Sequence, residues 1–136
     1  MEEKPTWLAV VAAAIRDSDG RLLLQQALPG KAHAGQWEFP GGKVESEENP
    51  RHALAREVRE ELGLRLDPAA MRPLGFADER GSDGRLAIVL FLYDCLAWSG
   101  DAEPLDGQAW GWFTLAEAAD LALAPMDRAL LETLVR

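Results

Sequence analysis

The residues from Gly42 to Leu64 constrain this chain more than any other stretch. They run Gly42, five residues, Glu48, seven residues, Arg56-Glu57-Val58, one residue, Glu60-Glu61, one residue, then Gly63-Leu64. Inside them lies a helix signal. Asn49 is a good N-cap, and Pro50 suits the first helical position, where its missing N–H costs nothing. Ala53, Leu54, Ala55, Val58 and Leu62 form an apolar stripe at helical spacing, and Gly63 fits the residue that stops a helix. The pattern predicts a helix over about residues 50 to 62. On it Glu57, Glu60 and Glu61 stand at i, i+3 and i+4, so the three carboxylates share one side.

Like charges at that spacing oppose the helix by roughly 0.2–0.5 kcal/mol per pair. A lone glutamate on a helix is normally a solvated residue. Three that converge beside a glycine turn point instead to a hard divalent cation. Mg²⁺ takes oxygen ligands, keeps several waters, and binds through a few carboxylates together with substrate phosphates. Mn²⁺ suits the same oxygen donors and is the substitute ion. The segment Glu38-Phe39-Pro40-Gly41-Gly42-Lys43 precedes the helix. Its two glycines let the backbone approach an ion closely, and the Gly41 carbonyl is a further candidate ligand.

The 136 residues fit one domain, residues 1–136, and 48% hydrophobic content is ample for a core. A formal net charge of −9 argues against a duplex nucleic-acid binder, which needs a basic surface. It leaves a nucleotide substrate open, because a bound metal inverts the local field. The single cysteine, Cys95, excludes an intrachain disulfide and reads as a small core residue. The charged start and the short apolar run Trp7 to Ile15 give neither a signal peptide nor a membrane span, so the cytoplasm is expected.

Along the chain, Trp7 to Arg16 and Arg21 to Gln26 read as strands of a hairpin about the turn Asp17-Ser18-Asp19-Gly20. Leu28 to Gln36 is a loop. Leu74 to Glu79 and Leu86 to Ala97 read as strands joined by Gly81-Ser82-Asp83-Gly84. Ser99 to Gly107 is a polar loop and Ala109 to Thr114 a last strand. Leu115 to Leu121 is a short helix, and a final helix runs from Pro125 to Val135. Strands around helices give an α/β fold with a mixed sheet covered on both faces.

The spacings from Gly42 to Leu64 are those of the complete Nudix box, so the chain resembles a Nudix hydrolase. Seven of its nine positions require one residue type and two an aliphatic. At about 7% per fixed type, a chance match in a chain this long is on the order of 10⁻⁷. The resemblance implies an α/β/α sandwich with the box helix on one face. Trp37 to Glu45, Asp106-Gly107-Gln108 and Leu123-Ala124-Pro125-Met126-Asp127 are similar to the MutT branch. The tail Leu121 to Leu134 is similar to its CTP and oxidised-pyrimidine members. That branch cleaves nucleoside triphosphates to monophosphate and pyrophosphate.

The resemblance implies residue roles. Glu57, Glu60 and Glu61 would be metal ligands, with the Gly41 carbonyl. Arg56 would orient Glu57 by a charge-assisted hydrogen bond, and Glu48 would support the junction of loop and helix. Asp106 stands where a loop glutamate of MutT-like enzymes binds metal or activates water, so Glu57 and Asp106 are both candidates for the general base. Phe39 would pack on the base, or in the core. Asp127 stands where this branch reads the base, and a carboxylate there accepts from an amine such as cytosine N4. N-capping of the last helix by Asp127 is the alternative.

The sequence also departs from the pattern. Ala27 stands where an Arg is usual after a Gln, Ala32 where a His is common, and Glu47 where a glycine is common. Lys31 and His33 are the residues placed to compensate on phosphate or sugar. The resemblance implies Mg²⁺-dependent release of pyrophosphate from a nucleoside triphosphate, of the CTP, dCTP or 8-oxo-dGTP type, in nucleotide pool sanitisation. ADP-ribose and dinucleoside polyphosphates are the alternative substrates, and a catalytically silent nucleotide-binding module the alternative class. A monomer or homodimer is expected, with no membrane partner.

Overall fold

The alternation of side chains along the first strand explains the layering of the molecule. The computed structural model describes residues 6–82 and 86–135. Its strands are β1 (Trp7–Ala14), β2 (Leu22–Gln26), β3 (Trp37–Glu38), β4 (Gly41–Lys43), β5 (Arg65–Leu66), β6 (Met71–Glu79), β7 (Ala87–Cys95), β8 (Trp98–Ser99) and β9 (Trp110–Phe113). Its helices are α1 (Pro50–Leu62), α2 (Leu115–Ala119) and α3 (Pro125–Leu134). Val11, Ala13 and Ile15 point to one side and pack with Ala53, Leu54, Val58 and Leu62 of α1. Ala12 and Ala14 point to the other and pack with Met126, Leu130 and Leu131 of α3. A period of two on a strand sorts neighbours to opposite faces, so one sheet serves two cores. Fully burying Leu54 or Leu130 stabilises by roughly 1.5–3 kcal/mol each. The expected α/β/α sandwich with a mixed sheet is what forms.

The main sheet has the order β4-β1-β7-β6. β1 runs parallel to β7 and antiparallel to β4, and β6 runs antiparallel to β7. A second sheet has the order β3-β2-β9, all antiparallel, and β5 pairs with β8. This arrangement brings the segment β3–β4, the helix α1 and the chain before β9 together at one end of the sandwich.

Several expected elements differ in extent. The β1–β2 turn forms, with Asp17 Oδ1 accepting from the Asp19 and Arg21 N–H groups, but the ladder stops at the bridge Arg16↔Leu22. The strands then part into different sheets, because β2 must pair with β3 and β9. β6 starts at Met71, earlier than Leu74, and carries a bulge between Pro73 and Gly75, since proline cannot donate to a ladder. Of the turn Gly81-Ser82-Asp83-Gly84, Asp83 and Gly84 lie outside the described residues. The two-residue strands β3, β5 and β8 and the short β4 are too brief to show a period.

The helix α1 has the ends its sequence requires. Asn49 Oδ1 accepts from the His52 N–H at 3.0 Å, and Pro50 opens the first turn. Gly63 is left-handed at φ 73° and donates to the Arg59 carbonyl. Glu47, in place of the common glycine, also takes a left-handed conformation, φ 67°. No helix among the described residues is long and apolar enough to cross a membrane. Cys95 is buried, and burial pushes its thiol up to about 12, so it is an inert core residue.

Candidate active site

Arg56 is the hub of the box. Its Nε and Nη2 donate to the two carboxylate oxygens of Glu48, at 2.6 and 2.9 Å. Nη1 donates to Glu57 at 3.0 Å and to Glu60 at 3.2 Å, and Nη2 reaches the Lys43 carbonyl at 3.2 Å. Glu48 also accepts from the Glu45 N–H at 3.0 Å. One guanidinium thus ties helix α1 to strand β4 and to the loop between them. A fork-to-fork pair fixes direction as well as distance. Hydrogen bonds from Arg56, then from Glu45, hold the Glu48 carboxyl down at about 2.

The carboxylates divide. Glu57 and Glu61 face the cleft and Glu60 does not: its side chain is 56% exposed and stays beside Arg56. Glu57 lies against Gly42 so closely that a Cβ there would collide with its carboxylate. A Cβ on Gly41 would collide instead with the backbone of Val11 and Ala12. Both glycines are therefore required by close approach. Glu61 accepts from the Gly41 N–H at 3.0 Å, and the Gln25 side chain favours its charged form. Burial pushes the Glu61 carboxyl up to about 8, against both of these, with the Glu57 and Glu38 charges adding to the rise. Burial also raises Glu57, against Arg56.

These groups open onto a cleft of about 570 Å³ that also takes in Lys31, His33, Phe39, Asp106 and Asp127. Asp106 is exposed at its rim, and its backbone N–H is held by Gln108 Oε1 at 3.1 Å. The Asp106 carboxylate has no hydrogen-bond or ion-pair partner among the described residues. Lys31 is exposed, and its charge is felt at Glu38. His33 Nε2 lies 2.9 Å from Glu79 Oε1, which brings the loop beside β6. Ala27 is buried, with its backbone bonded to Gln36 and Gly35, so no cation replaces the usual Arg at that position.

The cleft holds two further acids, Asp127, which is buried, and Glu38, which is half-buried. Asp127 is 4% exposed and accepts from the Phe39 N–H at 2.9 Å. The N-cap of α3 is Ala124, without a side-chain cap, so the alternative of N-capping by Asp127 is not what forms. Phe39 borders the cleft, yet its ring belongs to the core on the α3 side. Burial pushes Asp127 up to about 7. Burial, and then the Asp127 charge, push Glu38 up to about 7 as well. Sequence reasoning misses Glu38 as a site residue. Its only signal is a lone acid between Trp37 and Phe39, two residues that face the core. Gln25 and Gln108, both buried, are missed in the same way.

A second hollow, of about 590 Å³, lies beside Arg51, Asp67 and Tyr93. Arg51 is already used there: it donates to the Pro68 and Met71 carbonyls and sits over the Tyr93 ring at 5.6 Å. It fastens the start of α1 to β6, and no buried acid lines it.

Among the described residues, no His, Cys, Asp or Glu side chains are gathered three together as a cation cage. The donor set nevertheless fits Mg²⁺, which is held by one or two carboxylates plus substrate phosphates rather than by an all-protein cage. Glu57 and Glu61 supply hard oxygens on a glycine cradle, and burial raises both carboxyls, so a cation bound there would favour their charged form.

The chain matches the NUDIX domain model over residues 5–134. It is 40% identical over 122 residues to the CTP pyrophosphohydrolase of Escherichia coli, covering 90% of this chain and 87% of that protein. It is 33% identical over 105 residues to the 8-oxo-dGTP diphosphatase of Haemophilus influenzae, covering 77% of this chain and 74% of that protein. The crystal structure of a MutT NUDIX hydrolase from Burkholderia pseudomallei superposes with a TM-score of 0.82 at 31% identity, over 95% of this chain and 98% of that one. With its box intact on α1 and its fold shared along nearly the whole chain, the protein belongs to the Nudix family.

Proposed function

We propose that this protein hydrolyses a pyrimidine nucleoside triphosphate of the CTP type to the monophosphate and pyrophosphate. The observation that carries the reading is the pairing, in one cleft, of the Glu57–Glu61 carboxylates with the buried Asp127 and the half-buried Glu38. One end suits a phosphate chain with its cation, the other the amine edge of a base. Its support from relatives is the name CTP pyrophosphohydrolase on the Escherichia coli protein.

Glu57 and Glu61, with Gly41, would hold Mg²⁺. The ion supplies neutralisation of the phosphate chain and polarisation of the phosphorus–oxygen bond. Arg56 keeps Glu57 aimed into the cleft. Glu60 serves from the outer side, as a partner of Arg56. Asp106, with an unengaged carboxylate at the rim, takes the proton from the water that attacks phosphorus. Lys31 and His33 flank the triphosphate in place of the usual Arg. Asp127 accepts from the base amine, and Glu38 beside it in the cleft donates to the base carbonyl when it carries a proton. The reaction consumes one water and breaks one anhydride bond, and pyrophosphate leaves. We place it in nucleotide pool sanitisation, in the cytoplasm, in a single domain.

The test is a panel of CTP, dCTP, oxidised cytosine and guanine triphosphates, ADP-ribose and dinucleoside polyphosphates with Mg²⁺, read as kcat/KM. The highest value is expected for a cytosine triphosphate, with pyrophosphate as a product. Glu61→Gln should lose most of the activity with the fold intact, because a ligand used in the transition state is gone. A panel led by ADP-ribose, or a Glu61→Gln variant with near wild-type kcat, overturns the reading.

A further inference from the structure

Two buried glutamines connect the rim of the cleft to its floor. Gln25, on β2, is 3% exposed and Gln108, just before β9, is 5% exposed. Gln108 Nε2 donates to Gln25 Oε1 at 3.0 Å and to the Glu61 backbone carbonyl at 3.0 Å. Gln108 Oε1 accepts from the Asp106 N–H at 3.1 Å. The Gln25 side chain faces the same cleft as the Glu61 carboxylate and favours its charged form. Leu105 N–H donates to the same Glu61 carbonyl at 3.1 Å, so the Asp106 loop closes the end of α1.

The direction of this chain is fixed by backbone at one end. A backbone N–H can only donate, so the Gln108 atom that meets Asp106 N is oxygen. A backbone C=O can only accept, so the Gln108 atom that meets Glu61 O is nitrogen. That nitrogen also meets Gln25, which must offer its oxygen. Gln25 then has only its NH₂ left for the Glu61 carboxylate. The order of donors runs from Asp106 through Gln108 to Gln25 without a free choice, and leaves the Gln25 NH₂ as the group available to the Glu61 carboxylate.

We infer that Gln25 and Gln108 are positioning residues, an amide relay that presents the Glu61 carboxylate to the cation as an acceptor of fixed direction and locks the Asp106 loop to the same helix. The inference rests on the proposed role of Glu61. Groups that orient a metal ligand without touching the metal typically matter 10–100-fold for affinity or activity. Both glutamines are almost fully buried in the wall of the cleft, and a wall needing only volume would hold leucine or methionine here.

The experiment measures Mn²⁺ binding to the free protein, by the electron paramagnetic resonance of unbound Mn²⁺, with kcat, KM and melting temperature. Gln25→Met keeps volume and removes the donor. It should weaken Mn²⁺ binding about 10-fold or more and lower kcat by a similar factor, with KM for the nucleotide within about twofold. Gln25→Asn keeps the amide but is one methylene too short, and should show the same loss; it carries the test if the Met variant does not fold. Gln108→Met should weaken Mn²⁺ binding in the same sense and lower kcat further, because it also frees the Asp106 loop. Mn²⁺ affinity within twofold of wild type in the folded Gln25 variants overturns the relay, whatever happens to melting. Glu61→Gln separates the two readings. If it abolishes Mn²⁺ binding while the Gln25 variants bind normally, only the relay falls. If it leaves binding intact, the cation role of Glu61 falls and the relay with it.

Discussion

The Phe39 N–H donates to the Asp127 carboxylate at 2.9 Å, across 88 positions of sequence. This buried bond joins the first turn of α3 to the segment that leads into the glycine pair. It lets the last helix of the chain form the far wall of a cleft whose near wall is α1. In the proposed function a carboxylate at this place has two duties, to satisfy a backbone donor and to meet a base.

The two duties separate on mutation. Asp127→Asn keeps an acceptor for the Phe39 N–H, so the fold should persist. The added NH₂ changes what the base meets, and kcat/KM for a cytosine triphosphate relative to a guanine triphosphate should change at least 10-fold. Asp127→Ala leaves the Phe39 N–H unpaired and should also lose about 1–3 kcal/mol of stability. Two kcat/KM values and one denaturation curve for each variant check this. An unaltered ratio in the Asn variant removes Asp127 from base selection.

Stability should also depend on pH through this pair. Asp127 and Glu38 are each raised to about 7 by burial, from ordinary values near 4. A raised carboxyl binds its proton more tightly folded than unfolded. Its contribution is complete below pH about 4, falls as pH rises to about 7 and is lost above. For Asp127 the loss is on the order of 4 kcal/mol, since each tenfold gain in proton affinity on folding is worth about 1.4 kcal/mol. The Asn variant has nothing to titrate there. Plotted as the difference between wild type and Asp127→Asn, unfolding free energy should decline between pH 4 and pH 7; a flat difference shows that Asp127 titrates near its unfolded value.

The helix and its charges are legible in the sequence because their causes are local. Asn49, Pro50 and Gly63 act within one or two turns, and the apolar stripe sets the buried face of α1. The orientation of Arg56 toward Glu57 is legible through the resemblance, and its grip on Glu48 and the Lys43 carbonyl adds the detail of why the loop holds. The splitting of the three glutamates is not legible. Helical spacing puts Glu57, Glu60 and Glu61 on one side, but it is the sheet edge at β4 that decides which of them is covered, and Glu60 falls beyond it. Glu38 and the two glutamines are hidden for a related reason. Their importance comes from burial against partners 47 to 83 or more positions away, which no local period reveals. The β1–β2 hairpin looks longer in sequence than it is, because strand length does not show that the two strands leave for different sheets.

Gly41 and Gly42 should fail differently when given a side chain. At Gly42 the methyl meets the carboxylate of Glu57, the mobile end of a side chain, which must turn away. Gly42→Ala should therefore melt within a few degrees of wild type while losing about 10-fold or more in kcat, since a 1 Å misplacement at the reacting centre costs on that scale. At Gly41 the methyl meets backbone of β1, which cannot yield without breaking the β1–β4 pairing. Gly41→Ala should lower stability by more than about 2 kcal/mol, as overpacking against fixed atoms does. Thermal denaturation and initial rates on the pair decide it, and the assignment is wrong if Gly42→Ala is the less stable and more active of the two.

In the proposed reaction Asp106, rather than Glu57, takes the proton from the attacking water. Glu57 is held by Arg56 at 3.0 Å and lies against Gly42, a fixed position suited to a ligand. Asp106 is exposed, with its backbone anchored through Gln108 and its carboxylate unengaged, free to meet a water over the cleft. A general base contributes about 10²–10⁴-fold to rate. Asp106→Asn should lower kcat by roughly that factor and kcat/KM in parallel, while KM stays within about twofold, because the lost interaction exists only in the transition state. Mn²⁺ binding by the free protein should be unaltered in this variant, in contrast to Glu57→Gln, which should lose both cation and rate. If Asp106→Asn keeps its kcat and Glu57→Gln loses rate without losing Mn²⁺, the proton goes to Glu57 and Asp106 is a bystander at the rim.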